Sequence, residues 1–157
     1  MNRVLILVNI TGLVIGISYG LHGPILPVFA KNIVGATYSD LGLIGLTNFI
    51  PYMFIPLFVG ILLDRINNAY LLALGAAINS ASVYLLSIAQ SVPEIMGFRI
   101  MTGVAHAFFW PPCEAIISNE SSEKNRVKHI SWFTMFFVIG FMIGPLLGTV
   151  LLEGLDI

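Results

Sequence analysis

Long apolar runs separated by short polar intervals dominate this chain. A helix needs about 20 apolar residues to cross a bilayer core. On that measure the pattern predicts five segments: about Val4 to Phe29, Leu41 to Leu63, Tyr70 to Ala89, Pro93 to Ile117 and Ile130 to Leu152. The runs are too long for strands and lack the period-two alternation of a membrane barrel. The expected fold class is all-α: a polytopic membrane helix bundle, five transmembrane helices in a single membrane domain over residues 1–157. Lys31 to Asp40, Asp64 to Asn68 and Gln90 to Glu94 are tight joins, and Ser118 to His129 is the longest polar stretch. The join at Asp64 to Asn68 is short enough to make the second and third segments antiparallel neighbours.

Composition agrees with lipid as the solvent. Hydrophobic residues make up 57% of the chain and charged residues 10%, with a mean hydropathy of +0.94. Globular proteins carry about 25% charged residues. The formal net charge is -1, and no basic tail or stripe points to nucleic acid. Cys113 is the single cysteine. It cannot form an intrachain disulfide, has no metal partner at motif spacing, and reads as a packing residue. Neither a cofactor nor a metal is expected. Met1-Asn2-Arg3 before an apolar run also fits a signal peptide, with Ser18-Tyr19-Gly20 as a loose cleavage site. The apolar character resumes through Ile25 to Ala30, so the chain would stay membrane-bound even after such a cut.

Basic residues set the expected orientation. Cytoplasmic loops carry the Lys/Arg excess. With the N-terminus inside, Arg3, Arg65, Lys124, Arg126 and Lys128 all lie inside, and only Lys31 lies outside. Arg99 falls within the fourth segment. The expectation is a multi-pass protein of the cell membrane with a cytoplasmic N-terminus.

Two internal echoes suggest an inverted repeat of three helices. Pro56-Leu57-Phe58-Val59-Gly60 in the second segment parallels Pro145-Leu146-Leu147-Gly148 in the fifth, after one gap. Gly20, His22 and Pro24 in the first parallel Gly103, His106 and Pro111 in the fourth. The paired segments run in opposite directions, as an inverted repeat requires. Chance similarity between apolar segments is the competing explanation. If the repeat holds, its second copy lacks a third helix.

Three motifs resemble those of the major facilitator superfamily. Gly60-Ile-Leu-Leu-Asp64-Arg65, after the second segment, resembles the family signature G-x-L-x-D-R-x-G-R-K at Gly60, Leu62, Asp64 and Arg65. Asn67 stands where a glycine is usual, and Asn68 and Ala69 replace the basic pair. Arg99-x-x-x-Gly103 resembles the family's R-x-x-x-G motif. Gly140-x-x-x-Gly144-Pro145-x-x-Gly148 resembles the signature of antiporters in this superfamily, with Thr149 in place of a second glycine. Taken alone, that last stripe reads as helix packing. Gly12, Gly16 and Gly20 make a similar stripe in the first segment. The resemblance implies a transporter of twelve or fourteen helices, of which these would be the first five: an incomplete N-terminal half of the fold, partial or truncated, whose C-terminal half is missing. It assigns Asp64 and Arg65 to a cytoplasmic gate.

Candidate transport residues follow from helical geometry. Arg99, Gly103, His106 and Trp110 fall on one face of the fourth segment, and Glu114 continues it approximately past a bend at Pro111 and Pro112. A cation, an imidazole and an aromatic ring on one stripe read as a cavity wall. Imidazole titrates near neutrality, so His106 is a candidate proton carrier. Two alternatives stand beside this: Arg99 snorkelling to the outer interface, and His106 as a core histidine bonded to a neighbour. Asn48 in the second segment and Tyr19 in the first complete the candidate cavity. Asn9 and His22 are further polar candidates, with hydration at the outer interface as the plain reading of His22. Asn79 and Ser82 read as glue between helices, and Tyr70 and Trp132 as interfacial anchors.

The reading is a secondary active transporter exporting small molecules by alternating access, coupled to protons. Its partners are the lipid bilayer, a small-molecule substrate, protons and the missing half. No phosphate-binding loop supports ATP hydrolysis, and no Ser–His, paired-Asp or metal-ligand constellation supports an enzyme. The rival class is a non-transporting membrane scaffold or interaction protein built on a transporter frame.

Overall fold

The computed structural model describes residues 2–154, with no strand among them. It contains α1 (Arg3–Asn32), α2 (Tyr38–Leu63), α3 (Asn68–Ser87), α4 (Val92–Ala107), α5 (Trp110–Glu120) and α6 (Glu123–Gly154). Four of these, α1, α2, α3 and α6, are each long and apolar enough to cross a membrane.

The fourth predicted segment differs from expectation. It is realised as two helices of 16 and 11 residues, α4 and α5, with the break at Phe108 and Phe109. The sequence placed a bend at Pro111 and Pro112. Proline clashes with the carbonyl four residues earlier and has no N–H to offer it, so the pair acts on Ala107 and Phe108. Both prolines are tolerated in the first turn of α5. A neighbour also favours the break. A Cβ on Gly75 of α3 would stand 2.9 Å from both the Cβ and the carbonyl oxygen of Phe108, so only glycine admits the broken turn there. Cys113 follows, fully buried as a packing residue.

Helix ends also extend past the apolar runs. α2 begins at Tyr38, inside the expected loop, because Thr37 and Asp40 form a capping box. The Thr37 N–H donates to Asp40 Oδ2 at 2.8 Å, and the Asp40 N–H donates to Thr37 Oγ1 at 3.2 Å. Gly35, at φ +79, makes the turn between α1 and α2. The polar stretch Ser118 to His129 is mostly helical: α5 ends at Glu120 and α6 starts at Glu123. Its Glu, Lys and Arg residues are good helix formers, and Glu123 suits the positive end of the helix dipole. Ser121 Oγ lies 2.7 Å from His129 Nδ1 and bridges this turn.

The chain divides into two compact units. One comprises α1 through Val28, the end of α5, and α6. Its core is a glycine-lined helix contact. Gly12 meets the Phe133 ring, Gly16 the Phe137 backbone, and Gly20 the backbone of Phe141 and Gly144. From the other side, Gly140 meets Leu13 and Ile17. A Cβ on Gly144 would stand 2.5 Å from the Cα and carbonyl carbon of Gly20. Small residues permit this backbone approach, on which helix association in lipid depends. α6 stays helical through Pro145.

The other unit runs from Phe29 to Ala115 and packs α4 against both α2 and α3. Its buried residues include Ile44, Val59, Leu71, Leu86, Ile95, Ala105 and Phe109. The first segment thus pairs with the fifth, and the fourth with the second. Exchanging first with fourth and second with fifth carries one pairing into the other, which accords with the sequence echoes.

Candidate functional site

A hydrogen-bonded polar cluster within an apolar helix pair lies between α2 and α4. Asn48 and Tyr52, one turn apart on α2, face Arg99, Thr102, Gly103 and His106 of α4. Asn48 is 5% exposed and Thr102 is 0% exposed. Asn48 Nδ2 donates to Thr102 Oγ1 at 2.8 Å and to the Arg99 carbonyl at 3.2 Å. Thr102 Oγ1 donates to the same carbonyl at 2.8 Å. An amide in lipid must find such partners, because an unmade hydrogen bond there costs several kcal/mol. Gly103 makes the approach possible. A Cβ there would stand 3.1 Å from the Asn48 carbonyl carbon and 3.2 Å from Pro51 Cβ, with the Asn48 oxygen closer still.

Arg99 lies one turn from Gly103, half-buried. Its Nε is enclosed, with no hydrogen-bond acceptor in reach among the described residues. At the centre of a membrane-spanning helix an arginine costs about 2.5–3.5 kcal/mol on insertion scales, so a guanidinium enclosed in an apolar helix pair is a candidate functional group. His106 meets the Tyr52 ring edge-on, centroids 5.5 Å apart. A cation, an imidazole and a phenol ring therefore share this helix pair with the hydrogen-bonded clamp of Asn48 and Thr102.

The sequence candidates are distributed as follows. Arg99, Gly103, His106 and Asn48 come together on α2 and α4. Trp110 belongs to α5, past the break, so the continuous α4 face ends at His106; Trp110 lies edge-on to Phe109, centroids 5.5 Å apart. Glu114 is exposed on α5. Tyr19 belongs to the other unit, 5% exposed, edge-on to His22 at 5.7 Å and to Phe137 at 6.0 Å. His22 Nδ1 lies 2.6 Å from the Ser18 carbonyl, so its ring is held by its own helix. Asn9 is buried in the same unit. Asn79 and Ser82 are buried on α3, but the Ser82 hydroxyl donates to the Ile78 carbonyl of its own helix at 2.6 Å. Tyr70 and Trp132 are exposed.

Two contributors escaped the sequence reading. Thr102 lies three residues after Arg99, and Tyr52 four after Asn48. The helical spacing that linked Arg99 to His106 reaches both, and only their plain residue types concealed them.

The two glycine motifs part company. Gly140, Gly144 and Gly148 all face α1, Gly148 against Ile25 and Leu21. A methyl group at Gly60 would meet no atom within 4 Å, and Asp64 and Arg65 are exposed in the turn after α2. Asn67, where the family signature has glycine, caps α3: its Oδ1 accepts the Ala69 N–H at 2.9 Å.

Comparison with known proteins places these elements in a family. The chain matches the profile of the Major Facilitator Superfamily over residues 8–156. It is 26% identical over 153 residues to the quinolone resistance protein NorA of Staphylococcus aureus (strain MRSA252), covering 98% of this chain and 39% of that protein. The same figures hold for NorA of strain Mu50. An uncharacterized MFS-type transporter of Mycobacterium tuberculosis (strain CDC 1551 / Oshkosh) is 33% identical over 93 residues, covering 59% of this chain and 22% of that protein. The chain spans about 39% of the length of the quinolone resistance proteins it matches.

Proposed function

The chain belongs to the major facilitator superfamily, and from that premise we propose that it serves proton-coupled export of small amphipathic molecules, quinolone-like compounds among them. The observation that carries this reading is the similarity to quinolone resistance proteins along 98% of the chain. The α2–α4 site supports it, since Arg99 and His106 are ionisable groups kept in an apolar helix pair. Alternating access rocks two helix bundles about a midplane site. In this reading both compact units belong to one membrane domain, with the N-terminus in the cytoplasm of a cell-membrane protein. They work with a counterpart to the remaining length of the relatives. Asp64 and Arg65, exposed at the end of α2, act in a cytoplasmic gate. His106 carries the proton, and Arg99, two turns earlier on α4, supplies a fixed positive charge.

The test is efflux from bacteria stripped of their own drug pumps and expressing the gene product. Cells preloaded with a fluorescent quinolone should lose it faster than vector controls, and collapsing the proton gradient should abolish the difference. Efflux that survives that collapse removes the coupling, and equal retention in both strains removes the export reading.

A further inference from the structure

The side-chain donors of the α2–α4 clamp are all committed. Asn48 Nδ2 carries two hydrogens. One goes to Thr102 Oγ1 at 2.8 Å and the other to the Arg99 carbonyl at 3.2 Å. The Thr102 hydroxyl has a single hydrogen, which goes to that same carbonyl at 2.8 Å. Both side chains are buried, and neither keeps a donor for a ligand. The three bonds close a triangle, and its common point is the backbone of the residue that bears the charge. Inside α4 that carbonyl also takes the Gly103 N–H, as helix geometry requires.

We propose that Asn48 and Thr102 are positioning residues for Arg99: they hold its backbone against α2 and so fix where its guanidinium emerges. The proposal rests on the reading of Arg99 as the site's fixed charge. Stability alone does not call for this arrangement. Interhelical hydrogen bonds in membranes add little stability, and the helices already meet closely at Gly103. What the bonds add is direction. A side chain leaves its helix at an angle set by the backbone that carries it, and the peptide after Arg99 carries the bound carbonyl. One turn later the Asn48 carbonyl meets Gly103. α4 is thus fixed at two points in successive turns and cannot roll on α2. Roll is the motion that matters, because a rotation of about 100°, one residue position, would carry Arg99 off this face. Arg99 is half-buried and its Nε is enclosed, as a held side chain requires.

Arginine Nε–H signals test this in the full-length gene product, isotope-labelled at arginine and held in lipid nanodiscs. Arg99→Lys identifies the Arg99 signal by deleting it. In the parent protein the enclosed Nε–H should exchange slowly with water. Thr102→Val and Asn48→Leu remove the bonds at similar volume. Each should speed that exchange on the order of fivefold, the effect of one net hydrogen bond. Thr102→Ser keeps the hydroxyl and should match the parent. Ile44→Ala, at a buried apolar position one turn before Asn48, lowers stability without removing either bond and should leave the rate unchanged. An unchanged rate in both Thr102→Val and Asn48→Leu would overturn the proposal. So would equal acceleration by Ile44→Ala, which leaves the bonds a general packing device, or a parent signal already at the rate of an exposed arginine. In the efflux assay, Thr102→Val should slow export by itself and add nothing to Arg99→Gln. A further loss in that background would show Thr102 acting apart from Arg99 and overturn the proposal. The spectra need no transport, so failure of the export reading and failure of this one are told apart.

Discussion

Replacing Gly103 by alanine tests the close approach of α2 and α4. The added Cβ would lie 3.1 Å from the Asn48 carbonyl carbon and nearer still to its oxygen. Carbon contacts settle at about 3.5–4.0 Å, so the helices must separate by at least several tenths of an ångström. These are backbone atoms of a helix and cannot swing aside. Overpacking of this kind costs about 1–3 kcal/mol. Separation also stretches the Asn48 bonds to Thr102 and Arg99, now 2.8 and 3.2 Å. Losing a buried hydrogen bond adds about 1–2 kcal/mol. The helix propensity of alanine over glycine returns about 0.5–1 kcal/mol. The net expectation is a loss of about 1–4.5 kcal/mol, from those same terms. Gly97, on the same helix, has nothing within 4 Å, so Gly97→Ala should be neutral or stabilising. Cys113 supplies the assay. It is the single cysteine, it is 0% exposed, and it lies in the same compact unit as Gly103. A thiol-reactive fluorogenic dye then reports unfolding in detergent as temperature rises. Gly103→Ala should lower the labelling midpoint by several degrees relative to the parent, and Gly97→Ala should not. Coincident midpoints for the two variants would refute the close approach.

Three further outcomes are expected. A double-mutant cycle on Asn48→Ala and Thr102→Val should give a coupling of about 0.6 kcal/mol and no more than ~1.7, the range found for interhelical hydrogen bonds in membranes; zero coupling in the same dye assay would place the Asn48 partner elsewhere. Gly144→Val should disrupt the α1–α6 contact, because its Cβ would stand 2.5 Å from Gly20 backbone atoms, whereas Gly23→Ala meets nothing within 4 Å and should leave expression and monodispersity unchanged on size-exclusion chromatography. In the efflux assay, His106→Ala should flatten the pH profile of transport while Asp64→Asn slows turnover with little change in apparent substrate affinity; an unaltered profile for the first, or a large affinity loss for the second, would reassign those residues.

Hydrophobic run length alone determined that the protein is helical and suited to a membrane, because lipid forces each spanning backbone to satisfy its own hydrogen bonds. Motif spacing supplied the family, since Asp64, Arg99 and Gly144 fall at matching places at the second, fourth and fifth segments. Capping signals such as Thr37-x-x-Asp40 were present in the sequence but lost beneath the hydropathy boundary, so α2 starts earlier than expected. The break at Phe108 was displaced from its cause, because proline acts on the carbonyl one turn behind it. What needed the tertiary structure was partnership. The glycine stripes of α1 and α6 read alike in sequence, and nothing in either said that Gly20 would meet Gly144. Nor could Asn48 announce that its amide would reach Thr102, since a hydrogen bond between helices depends on how closely their backbones approach. That distance is set at Gly103, where the missing side chain admits the Asn48 carbonyl.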